Sequence, residues 1–365
     1  MPDVASIGRG LLLVLFTAGC AAPAPDAAPS SAGAGPASPS PSLRPSSALP
    51  TATAATPPST APADDPAPTF EVATYPVPPG SRPHDVAPAA DGGIWYTAQG
   101  SGRLGWLDPG SGEVREIELG PGSQPHGVIT GPDGDAWVTD GGQNAIVRVD
   151  AETDDVTVYP LDGSPANLNT AAFDRAGVLW FTGQAGVYGS LDPATGAAEL
   201  FAAPRGAGPY GIAATPDGEI AFSSLAGSYL GLIDAATGEV ETVDTPTPGG
   251  GARRVWSDSD GRLWVTEWFA GSLAMYDPDA DAWTEWPLPD PGAMPYAVYV
   301  DERDAVWITD FGSNATLRFD PATETWTPFE HVSQPAEVRQ LLGRQGEVWG
   351  AESAADQLVV VRAVD

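Results

Sequence analysis

The chain contains no lysine, one cysteine, three histidines and three methionines among its 365 residues. Its 16 basic residues, all arginine, face 48 acidic ones, a formal net charge of −32. That charge argues against nucleic acid or an anionic membrane surface as a partner. The single cysteine, Cys20, leaves no second thiol for an intrachain disulfide, so apolar packing and hydrogen bonding must hold the fold. Long apolar runs are also missing. The strongest one, Leu11–Phe16, is too short to span a bilayer.

That run lies between Arg9 and the small residues Thr17-Ala18-Gly19 that precede Cys20, the layout of a secretory signal. The end of the segment resembles a bacterial lipoprotein box, which implies lipidation of Cys20 and places residues 1–20 as a lipoprotein-type signal peptide. Residues 21–68 are almost wholly Ala, Pro, Ser, Thr and Gly, without the large apolar side chains that offset ordering entropy. They are expected to form a disordered tether with a reach of about 40 Å or more. The protein is thus expected to be exported and anchored to the outer face of the cell membrane through Cys20 alone, and to act as a monomer.

Residues 69–365 contain a repeat. Aligned on a turn and the aromatic that follows it, the copies include RPHDVAPAADGGIWYTA (82–98), QPHGVITGPDGDAWVTD (124–140) and GARRVWSDSDGRLWVTE (251–267). The position of His84 recurs at His126, Asn169, Tyr210, Arg253, Tyr296 and Val338, at spacings of 42, 43, 41, 43, 43 and 42 residues. Six of the seven copies carry Trp on the second strand-like run. A period near 42 with four short runs per copy is the pattern of an all-β, seven-bladed β-propeller with four-stranded blades. The Trp is expected to pack between blades. The segment Glu71–Pro76 reads as a fourth strand and the C-terminal Gln357–Val364 as a third, so the N-terminal strand should complete the last blade and leave no open edge.

In an antiparallel hairpin the start of the first strand lies beside the end of the second. Each His84-type position should therefore share one face of the disc with the residue fourteen further on. This predicts a mouth lined by His84, His126 with Asp140, Tyr210, Arg253 with Glu267, Tyr296 with Asp310, and Glu352 beside Val338. Such a rim is a usual place for a small-molecule or peptide ligand. His331 falls outside the pattern and reads as a surface residue.

The recurring Pro-His-Gly-Val…Asp-Gly-Asp-Ala-Trp-Val-Thr-Asp, with Trp-Val-Thr-Glu at 264–267, resembles the virginiamycin B lyase (streptogramin lyase) family across residues 70–365. The resemblance implies elimination that opens a cyclic depsipeptide or related ester, with Mg²⁺. It casts His84 and His126 as catalytic, His126 being the proton acceptor, and Gln124 and Asp140 as the metal-holding pair. Tyr210, Arg253, Tyr296, Glu267, Asp310 and Glu352 would then contact substrate. The family has glutamates where this chain has Gln124 and Asp140, and an amide in place of a carboxylate weakens a hard cation's site. Two other readings stay open: a surface-tethered binding propeller without catalysis, and metal-dependent lactone hydrolysis using a cage of Glu267, Asp310 and Glu352.

Overall fold

The computed structural model describes residues 68–364, in which every regular element is a β-strand. The signal segment 1–20, Cys20 and most of the tether 21–68 lie outside the described residues. The strands form seven antiparallel four-stranded sheets. Blade 2 is representative, with an inner strand Pro125–Thr130, a second strand Ala136–Asp140, a third Ala145–Val149 and an outer strand Val156–Pro160. The other inner strands are Pro83–Pro88, Leu168–Phe173, Pro209–Ala214, Ala252–Ser257, Pro295–Val300 and Val338–Arg344, for blades 1 and 3–7 in order.

The ring closes as the sequence predicts. Thr69–Pro76 is the outer strand of blade 7, pairing with Gln357–Val364 from Thr69↔Val364 to Pro76↔Gln357. Phe70 fixes this strand to blade 6, its ring 5.5 Å from Trp307 and 5.4 Å from Phe329.

The second strands of blades 1–6 are buried along their whole length, so they alternate between two apolar seams instead of between core and water. The repeated Trp fills one seam. Trp137 packs 5.7 Å from Phe173 of blade 3, and Trp264 lies 6.2 Å from Phe319 of blade 6. Four of these indoles also donate Nε1–H to an aspartate of the turn before them, Trp264 to Asp258 at 2.8 Å being one case, and Trp349 donates to Glu347 at the start of its own strand.

The hydroxyl two positions after the Trp explains the recurring Trp-x-Thr. Each inner strand slips in register near its start. In blades 1–5 the Thr or Ser hydroxyl takes up a backbone amide at the slip and donates to a carbonyl of the next blade; in blade 6 Thr309 takes up Ala297 N, and blade 7 has Ala351 at this position. Thr97 accepts from Asp85 N and donates to His126 O; Thr266 accepts from Arg254 N and donates to Tyr296 O. At Gly127 the neighbouring blade approaches too closely for a side chain. A Cβ on Gly127 would fall 2.7 Å from Asn169 O. These hydroxyl bridges hold in place the residues that surround the mouth.

Candidate functional site

The inner-strand starts converge as expected, bringing His84, His126, Asn169, Tyr210, Arg253 and Tyr296 around one end of the channel. The site has two halves of different chemistry. On blades 1–3, the His84 and His126 rings lie 4.0 Å apart at 47°. His84 Nδ1 is 2.7 Å from Asp85 Oδ1, and Asn169 Nδ2 is 3.4 Å from His126 Nε2. Both imidazoles are held well below their ordinary pKa: His84 by burial and then by Arg254, His126 by burial and then by His84. They are therefore neutral at pH 7. Nδ1 of His126 is shielded from water and has no hydrogen-bond partner.

On blades 4–6 the mouth is aromatic and cationic. The guanidinium carbon of Arg253 lies 3.5 Å from the Tyr296 ring centre, 4.3 Å from Trp268 and 4.8 Å from Tyr210. Its Nη2 donates to Tyr210 Oη at 3.0 Å, and its buried Nε has no partner. The Tyr210 and Tyr296 hydroxyls are hydrogen-bonded to each other. Tyr210 is pushed up to about 12 by burial and by Tyr296. Burial also acts upward on Tyr296, but Arg253 and Arg254 outweigh it and bring that phenol below its ordinary value. Below this layer, Arg254 crosses the channel to Asp85 at 3.3 Å, both side chains being buried.

The acids predicted for the mouth sit at the right strand ends, but their carboxylates turn into the loops. Asp140 is fully buried. Its Oδ1 accepts the amides of Gln124, Gly142 and Gln143, and its Oδ2 accepts Ser123 Oγ and Gln143 Nε2. Asp310 accepts from Met294 N, Gly312 N and the Ser313 amide and hydroxyl. Glu352 accepts from Gln357, and Glu267 shares Ser272 with Glu285. For the two aspartates the reason is local: the second strand ends in a tight turn whose amides need an acceptor, and the carboxylate fourteen residues after the mouth position is the nearest. These four are loop anchors and form no cage.

The pair assigned to Mg²⁺ by the resemblance does not fit it. Asp140 has both oxygens engaged by five protein donors, and Gln124 is an exposed amide, so this pair does not fit a hard divalent cation. The described residues instead gather His84, Asp85 and His126, whose ligand atoms lie within 4.8 Å of one another. Two imidazoles and a carboxylate suit a transition ion better than Mg²⁺. Arg254 already holds that carboxylate, and three guanidiniums surround the cluster. Asp85, Arg254 and Trp268 were not singled out as site residues from the sequence, although Asp85 and Arg254 directly follow mouth positions. His331, expected at the surface, is buried, its Nδ1 3.2 Å from Glu352 Oε1.

Comparison with known proteins agrees with this architecture. The virginiamycin B lyase family profile matches residues 113–364. A streptogramin B lyase structure superposes with a TM-score of 0.75 at 24% identity, covering 81% of this chain and 98% of that one. A catalytically inactive virginiamycin B lyase from Staphylococcus aureus, solved with quinupristin, gives 0.75 at 20%, covering 81% and 100%. YCF48 bound to D1 peptide gives 0.63 at 16%, covering 80% and 95%. At these identities the superpositions establish the fold alone. No curated protein sequence matches the chain.

Proposed function

The chain belongs to the virginiamycin B lyase family, and from that premise we propose that its mouth takes up a small-molecule or peptide ligand through carbonyl or carboxylate oxygens. One observation carries this reading. Arg253 forms no ion pair among the described residues of a strongly acidic protein, and three aromatic rings hold its guanidinium at the mouth. A pre-positioned cation flanked by flat apolar faces suits an oxygen-rich ligand with apolar groups. The leader and Cys20 support the further proposal that this receptor is exported and lipid-anchored. Labelling with a palmitate analogue should be lost in Cys20→Ala.

A second reading, elimination of a C–O bond in a cyclic depsipeptide or related ester, is favoured by the neutral, partly exposed His126. A neutral imidazole can take a proton at physiological pH. His126 would remove the α-proton of a β-acyloxy residue. The C–H electron pair would form the alkene while the C–O bond breaks and the carboxylate leaves with its electrons, with no water consumed. His84, fixed by Asp85, would orient the neighbouring ring, and Arg253 would meet the departing carboxylate.

Quinupristin separates the readings. Quenching of tryptophan fluorescence with intact ligand recovered marks a binding protein. A chromatographic shift at unchanged mass, lost in His126→Ala, marks elimination; gain of one water marks hydrolysis. No quenching and no product at saturating enzyme would remove depsipeptides as ligands. Arg253→Gln should weaken binding by about tenfold, the order of one charge-assisted contact.

A further inference from the structure

The fourth copy of the repeat is the one without Trp on its second strand; Ala221 stands there. Elsewhere the indole closes the seam to the following blade. Trp137 stacks on Tyr159 at 5.8 Å and meets Phe173 of blade 3 at 5.7 Å. Between blades 4 and 5 that place holds only small side chains, and the aromatic residues of the seam, Tyr276 and Trp283, come from the third and outer strands of blade 5. Ser257 pairs with Leu263 at the place where, in blade 3, Phe173 pairs with Leu179. An open groove results, floored by Ala221, Leu232 and Leu263 and edged by Glu219, Glu239 and Glu241. No arginine lines it, and none of the three glutamates is in an ion pair among the described residues. The groove opens beside the Pro216-Asp217-Gly218 turn, at the opposite end of the strands from the mouth.

We propose that this groove is a second binding site, for a small aromatic amine. The ring takes the place an indole occupies in six other blades, and the ammonium lies against the glutamates. A flat aromatic group buries a large apolar area for little loss of conformational freedom. The carboxylates select a cation and repel an anion of the same shape. The site is independent of the ligand and chemistry at the mouth.

The test uses the full chain and three probes: tryptamine, neutral indole, and indole-3-propionate, which keeps the ring and reverses the charge. By calorimetry at pH 7, tryptamine should bind with a dissociation constant near or below about 1 mM, and at least tenfold more tightly than the other two. Ala221→Trp fills the seat from within. It should raise the melting temperature and weaken tryptamine binding at least tenfold. Glu239→Gln with Glu241→Gln, both at exposed positions, should weaken it severalfold with the melting temperature unchanged. The proposal is overturned if tryptamine does not bind at about 10 mM. It is equally overturned if indole-3-propionate or indole binds as well, or if both Ala221→Trp and the double glutamine variant leave the affinity unchanged.

Discussion

Replacing Thr266 by Val tests whether the hydroxyl bridges hold blade to blade. The two side chains have the same shape, so the substitution removes one oxygen and little volume. Thr266 is fully buried; its Oγ1 accepts Arg254 N at 3.2 Å and donates to Tyr296 O at 2.8 Å. The sheet slips between Ala252 and Val255, so the Arg254 amide lies where the regular ladder is interrupted. Valine leaves one N–H and one C=O buried and without this partner. At about 1–3 kcal/mol for each orphaned group, less about 1 kcal/mol from the added methyl, the loss is about 1–5 kcal/mol. For a domain of this size that is about 2–8 °C in Tm. Thr266→Ser keeps both hydrogen bonds, deletes one methyl, and should cost about 1 kcal/mol. Urea unfolding followed by circular dichroism gives both values, and an unchanged slope shows that stability alone has changed. If the valine variant is as stable as the serine one, the bridges do not hold the ring and the account of Trp-x-Thr is wrong. Ligand affinity should fall as well, because the two backbone groups belong to mouth residues.

Three further outcomes follow from the packing and the titrating groups. The native pKa values of His84 and His126 are lowered, so the unfolded chain binds those protons first; stability should fall as pH drops below about 6.5, by about 1.4 kcal/mol per pH unit for each. His126→Gln should roughly halve that slope in pH-dependent melting. Burial and then Glu285 raise Glu267 to about 7, so its contribution is complete below the ordinary glutamate range and is lost as pH rises through about 7. Glu267→Gln should therefore melt higher than the parent at pH 8, with the difference vanishing near pH 4; a constant offset would refute the assignment. Deleting residues 69–76 removes the outer strand of blade 7 and the Phe70 contacts, exposing a sheet edge. That variant should lose its sharp unfolding transition and aggregate on size-exclusion chromatography.

The repeat made the architecture legible without coordinates. A strand needs only a few residues, its side chains alternate with period two, and a blade closes over about forty residues, so blade number and strand order are written locally. Ring closure was readable for the same reason: Glu71–Pro76 looks like a fourth strand, and the last blade lacks one. Backbone placement of the mouth positions also followed, since an antiparallel hairpin fixes which residues lie side by side.

Side-chain direction did not follow. Asp140, Glu267, Asp310 and Glu352 share a face with the histidines, yet their carboxylates turn away to satisfy amides and hydroxyls of the following turn. Nothing in a linear pattern weighs that local demand against exposure at the mouth. Partners from distant blades were equally hidden: Asp85 meets Arg254 across the channel, and Tyr210 meets Tyr296, only because the ring brings them together. Sequence alone determined the seven blades, their closure and the residues that begin each inner strand, because these depend on short-range periodicity. Tertiary structure alone decided which of those residues face one another, which charges are already paired, and where a missing indole leaves room, because each depends on contacts between segments far apart in the chain.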